Sequence, residues 1–133
     1  LTEFMEKYEE SEHLPLSYNK NEDTYSVKYN FAYDLILKTN LFSQKMKNKE
    51  LKHYLSKKKH FSVPLDNRSD LTKTDWILYA CSLTDDRKVQ KALYSGIVNF
   101  LKESIGLNPA FSSILIPSIT ANLSVLALFK NLI

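Results

Sequence analysis

The chain has 133 residues, of which 44% are hydrophobic and 25% charged, with 18 Lys and Arg against 15 Asp and Glu. That length and balance fit one ordinary globular domain, and a net charge of +3 is too mild to point to nucleic acid. Two Gly and four Pro argue against a loop-rich or all-β chain, and the single cysteine, Cys81, excludes an internal disulfide. Within these residues no basic stretch followed by an apolar run marks a signal peptide.

In chain order, Leu1, Phe4, Met5 and Tyr8 share one helical face, and Thr2 can cap it. Ser11 to Asp23 reads as a polar loop around Pro15, with an alternating Leu14, Leu16 and Tyr18 that allows a short extended piece. A helix is predicted from about Thr24 to Lys38, capped by Asp23 or Thr24, with Tyr25, Tyr29, Ala32, Tyr33 and Ile36 as its buried stripe. Asn40 ends it, and a second helix follows from about Ser43 to Lys57. Its inward residues are Met46, Leu51, Tyr54 and Leu55, and its lysines point mostly outward. Lys57-Lys58-Lys59-His60 closes it, where positive charge suits the carbonyl end of the helix dipole.

Val63 to Trp76 is the stretch around which the chain is organised. Pro64 forces an extended entry. Asp70 or Thr72 can cap the helix that runs from about Thr74 to Leu83, where Trp76, Tyr79, Ala80 and Leu83 share a face. A charged loop thus feeds the N-terminus of an amphipathic helix, a place where polar ligands bind. Asp85-Asp86 caps a further helix, Arg87 to Ser104, with Val89, Leu93, Ile97, Phe100 and Leu101 at 3.6-residue spacing. Gly106 and Asn108-Pro109 stop it. No charged residue lies between Glu103 and Lys130, and Ile119 to Ile133 is apolar nearly all round after a restart at Pro117-Ser118. That run is long enough for a bilayer, but Pro117 and the Ser, Thr and Asn residues between Ser112 and Ser124 favour a buried inner helix over a membrane span.

His13, His53 and His60 are scattered with no metal-ligand spacing, so each reads as a lone surface histidine, and no metal or cofactor is predicted. No glycine-rich phosphate loop or nucleophile elbow is present. The lysines from Lys45 to Lys59 read as a solvated face, and nucleic acid is not an expected partner. The carboxylates around the central loop are the best chemical candidates, because hydrolysis of an amide or glycoside needs a base for water and an acid for the leaving group. Loop and cap hydrogen bonds for Asp66 and Asp70, and ion pairs for Arg68 and Lys73, are the competing structural roles. Trp76 packs in the same sense, or offers an indole to a ligand.

Pro64-Leu65-Asp66-Asn67-Arg68 followed by Thr72-Lys73-Thr74-Asp75-Trp76 resembles a segment of the glutaminase A-like proteins of fungi and bacteria. Upstream, Lys28-Tyr29-Asn30, Asp34 and Asn40-Leu41-Phe42 resemble a second motif of that family, in the right order and at similar spacing. The resemblance runs loosely from Leu1 to about Ser104, and more faintly to the C-terminus. It implies an all-α fold built of helical hairpins, an (α/α) toroid of which residues 1–133 form the C-terminal part as one domain. It further implies hydrolysis of L-glutamine to L-glutamate and ammonia, with Asp34, Asp66 and Asp75 as catalytic candidates. Lys28, Asn30, Arg68, Lys73 and Trp76 are then candidates for holding a small polar substrate, glutamine or a sugar. A secreted or cell-surface setting follows from the same likeness. At Ser112-Ser113-Ile114-Leu115-Ile116 and Ala121 to Ala127 the chain departs from the family's Ser-Asp-Trp-Tyr-Asp and Ala-Arg-Ser-Val-Val-Gly-Gly, losing acidic, aromatic and Arg side chains. An inactive ligand-binding or structural relative, and a glycan-processing toroid enzyme, therefore stay open beside the glutaminase. The apolar 119–133 helix leads to a last expectation, that the isolated chain associates with itself or needs the rest of its parent protein.

Overall fold

The computed structural model describes residues 8–17 and 23–104. The expectations for Leu1 to Met5, Tyr18, Gly106, Asn108-Pro109, the 112–127 segment and Ile119 to Ile133 lie outside the described residues. Among the described residues four complete helices carry the fold: α1 (Phe31–Ile36), α2 (Gln44–Lys57), α3 (Thr74–Cys81) and α4 (Arg87–Ser104). Among the described residues there is no strand, only isolated bridges, so the chain is all-α.

The two long helices form where their local chemistry asks for them. Ser43 caps α2, its Oγ accepting the Met46 N–H at 3.2 Å, and Asp86 caps α4, its Oδ1 accepting from Lys88 N at 2.8 Å. Met46, Leu51 and Tyr54 of α2 bury their side chains, as do Leu93 and Ile97 of α4. Helix α3 packs on α4, α1 on α3, and α2 on α4. Ile77, Ala80, Cys81 and Leu83 fill the space between them with Phe31 and Val63.

Three expectations are corrected here. The helix expected over 24–38 is only Phe31–Ile36, begun at Asn30 with no side-chain cap, while 24–28 is extended. Val27 N donates to Leu65 O at 2.7 Å and Ser26 bridges Asp66, so the backbone groups of 26–27 are satisfied by the central loop rather than by a helix. In consequence Tyr25, Val27, Phe31 and Ala32 are buried, whereas Tyr29, Tyr33 and Ile36 of the expected stripe are exposed. Secondly, neither Asp70 nor Thr72 caps α3: Asp70 pairs with Lys59 at 2.5 Å, Thr72 Oγ1 donates to Val63 O at 2.9 Å, and Lys73 stands at the cap position without a side-chain bond. Thirdly, Lys47 does not join the outward lysines of α2. It is buried against Asp34 of α1 at 2.8 Å.

Candidate functional site

A cavity of about 450 Å³ opens where residues 14–17, 26–31 and the central loop meet. The pairing of 26–27 with 65–66 builds it, because it sets Lys28 and Asn30 beside Asp66 and Arg68 although about 40 residues of chain separate them. Lys28 forms its inner wall. The ammonium donates to Pro15 O at 2.9 Å, Ser26 Oγ at 2.6 Å and Ser26 O at 3.4 Å, so all three of its donors have acceptors. Burial pulls its pKa down, against the raising effect of Glu50 and Asp66.

Asp66 and Arg68 form the polar rim. Asp66 Oδ1 accepts the Arg68 N–H at 2.8 Å and Oδ2 accepts from Arg68 Nη2 at 2.6 Å. That side-chain bond holds the Asp66 carboxyl below its usual value in spite of burial. The same contact raises the already high pKa of Arg68, whose side chain remains 70% exposed. Opposite lies an aromatic wall. The Trp76 ring sits 4.4 Å from that of Tyr29, and Lys73 Nζ stands 5.4 Å from the Trp76 centroid on α3.

Of the eight expected site residues, the cavity brings together Lys28, Asn30, Asp66, Arg68 and Trp76. Lys73 touches it only through Trp76. Asp75 is exposed in the first turn of α3, away from the cavity lining. Asp34 lies on the far side of α1, where it accepts from Lys47 Nζ, from Thr39 Oγ1 at 2.6 Å and from Leu41 N at 2.7 Å. Burial raises its pKa, and those bonds more than offset it, so the net shift is downward. Cys81 offers no nucleophile, since burial pushes its thiol up to about 12. Among the described residues no cluster of His, Cys, Asp and Glu could hold a metal ion.

Sequence reasoning missed the layer behind the cavity. Glu50 and Tyr54, one turn apart on α2, are fully buried. Glu50 accepts the Leu14 N–H, and Tyr54 Oη accepts the Lys28 N–H at 2.9 Å, so α2 holds both backbone walls. Glu50 Oε2 reaches no hydrogen-bond partner, and burial raises the carboxyl pKa against the Leu14 bond, the Tyr54 hydroxyl and the charges of Lys28 and His13. Burial also drives the Tyr54 hydroxyl well above its ordinary value. The lone surface reading of two histidines is corrected as well. His13 and His53 stack face to face, centroids 3.6 Å apart and planes 9° off parallel, with Tyr25 edge-on to His53. Only the Glu50–Tyr54 spacing on one helical face was available as a sequence signal.

The family model described as the glutaminase A six helical-hairpin domain matches residues 2–114. This chain belongs to that family. Glutaminase A of Aspergillus oryzae (strain ATCC 42149 / RIB 40) is 30% identical to it over 102 residues, which is 77% of this chain and 14% of that protein. The chain therefore spans about a seventh of the length of that curated relative. No solved structure matches it. The helices α1 to α4, with the cavity between the 26–31 and 63–76 segments, all fall inside the matched six helical-hairpin region.

Proposed function

We propose that this chain forms one wall of the substrate pocket of a glutaminase A-type hydrolase, which with the rest of its parent protein converts L-glutamine to L-glutamate and ammonia. The observation that carries this reading is the convergence of Lys28, Asn30, Asp66, Arg68 and Trp76, from two distant segments, on one cavity. Arg68 supplies the recognition. One guanidinium nitrogen is engaged by Asp66, and the exposed remainder of the fork suits a substrate carboxylate. Asp66 then orients Arg68 instead of activating water, because a carboxyl held below its usual range is a weak base at neutral pH. Lys28, saturated by its own neighbours, shapes the wall, and the acid and base come from the remainder of the parent protein.

Ammonia release from L-glutamine by the parent protein tests this. Loss of one charge-assisted bond costs about 1.5–3 kcal/mol, so Arg68→Ala raises KM by roughly 10- to 100-fold with a smaller change in kcat. Unchanged glutamine turnover in a folded Arg68→Ala protein overturns the reading. The locked Asp66–Arg68 pair also favours a second reading, a non-catalytic ligand-binding relative. Saturable glutamine binding without ammonia release, weakened by the same substitution, supports that one instead.

A further inference from the structure

The stretch from Ser11 to Ser17 is a wall of the cavity with little structure of its own. Leu14, Pro15, Leu16 and Ser17 line the pocket, and no helix or strand includes them. Its attachments to the rest of the molecule are specific. Lys49 Nζ donates to Ser11 O at 2.7 Å, Leu14 N donates to Glu50, Leu16 N donates to Thr24 Oγ1 at 3.1 Å, and Pro15 O accepts from Lys28. Leu14 buries its side chain in the core, and His13 stacks on His53 of α2 with its Nε2 3.2 Å from Thr24 O.

We propose that the His13–His53 stack is a pH-sensitive latch, which keeps the 11–17 segment closed on the cavity while both rings are not charged together and releases it on acidification. Two imidazolium rings 3.6 Å apart repel, so the stacked arrangement tolerates at most one charge. Every other cation near His53 acts in the same sense, Lys57 on its own helix and Lys28 on the facing extended segment. Tyr25 faces it edge-on and is neutral. A charged His53 would also carry an N–H at Nε2, an atom that is buried and has no partner. Burial, then His13, Lys57 and Lys28, hold the His53 pKa down at about 4.

The sign follows from the released state. A His53 freed from the stack recovers an ordinary value near 6.5, so release binds a proton wherever the pH lies between about 4 and that value. Closure is therefore fully favoured above about 6.5 and is lost progressively as the pH falls towards 4. Glu50 opposes this. Its pKa is raised in the closed state, so its protonation favours closure, and the net response is the difference between the two groups. The attachments through Lys49, Lys28 and Thr24 involve neither imidazole and make the hinge that remains.

Trp76 is the only tryptophan and lies on the same cavity, which makes it the reporter. Acrylamide quenching of its fluorescence in the full chain rises about two-fold between about pH 7 and pH 4, while the far-ultraviolet helical signal holds. His53→Phe keeps a ring in the stack without the charge and abolishes the rise. His13→Phe does the same from the other side and decides the matter if His53→Phe does not fold. A rise of equal size in the Phe variants, or none in the natural chain, overturns the proposal. The latch rests on the cavity and its wall alone, so failure of glutamine turnover leaves it standing and loss of the pH response leaves the hydrolase reading standing.

Discussion

Asp34 shows how a side chain in a family-like motif can be held by the fold. Its two oxygens serve Thr39, Leu41 and Lys47, and the side chains of Asp34 and Lys47 keep only 2% and 5% of their surface exposed. Burying a pair of charges costs several kcal/mol that the mutual attraction and the extra hydrogen bonds only just offset, but breaking it strands the survivor. Asp34→Ala leaves a buried ammonium without its partner and lowers stability by about 3–5 kcal/mol, read as the shift of a urea unfolding midpoint. Its lowered folded pKa makes a contribution that is complete above the unfolded carboxylate value of about 3.9 and is lost as the pH falls through the folded one. Stability measured down an acid series thus falls in the natural chain, and the Asp34→Leu, Lys47→Met double variant lacks that component. None of this was readable from Lys47 itself. Its partner lies 13 residues away on another helix, and a lysine among lysines looks like a solvated face.

Helices α2 and α4 were legible because cap and period agree. Ser43 and Asp86 stand where an oxygen is needed, and the apolar spacing that follows is helical throughout. Helix α1 was misread because Tyr25 and Tyr29 fit a four-residue spacing while Tyr25 and Val27 fit a two-residue one. Only the partner segment at Leu65 and Asp66 decides between them, and nothing local to 24–30 names it. The same pairing made the site half-legible: the residue types were visible, their meeting was not. Between elements, Gly96 of α4 lies tight against the 59–62 turn. Ser62 is fully buried there at φ 102°, donating from Oγ to Leu93 O at 3.3 Å. A Cβ on Gly96 would collide with the Ser62 N and Cα and lie 2.8 Å from the Phe61 carbonyl carbon. Those are backbone atoms that cannot rotate away. Gly96→Ala gains helix propensity of about 1 kcal/mol and still destabilises the chain, since forcing α4 off the turn costs about 1–3 kcal/mol or more. A thermal melt of the Gly96→Ala variant checks the sign, and an unchanged or higher midpoint counts against this packing.

At the scale of the molecule, the outer face of α1 carries surface that the described residues do not cover. Tyr33 is 48% exposed, Ile36 43%, Leu37 68% and Leu41 48%. The patch is continuous with the cavity mouth, because Tyr33 lies 6.3 Å from Tyr29 and 6.4 Å from Tyr79, centroid to centroid. Scattered exposed apolar residues need no explanation, but a run of four within one and a half turns and the loop after them is a contiguous face. Helical hairpins bury such faces against neighbouring hairpins, and the relative aligned here uses only 14% of its length on the matched segment. Apolar area left in water returns about 25 cal/mol per Å² when covered, so a patch of a few hundred Å² favours association by several kcal/mol before the cost of ordering two molecules. The isolated chain is therefore expected to show a scattering mass that grows with concentration. Tyr33→Lys with Leu37→Lys places two charges on that face at exposed positions, at the cost of the ring contacts of Tyr33 with Tyr29 and Tyr79, so it holds the helical signal and returns the mass towards that of the 15.4 kDa monomer. A compact monomer at high concentration without any substitution contradicts the expectation. Association that the double lysine variant leaves unchanged moves the contact away from α1.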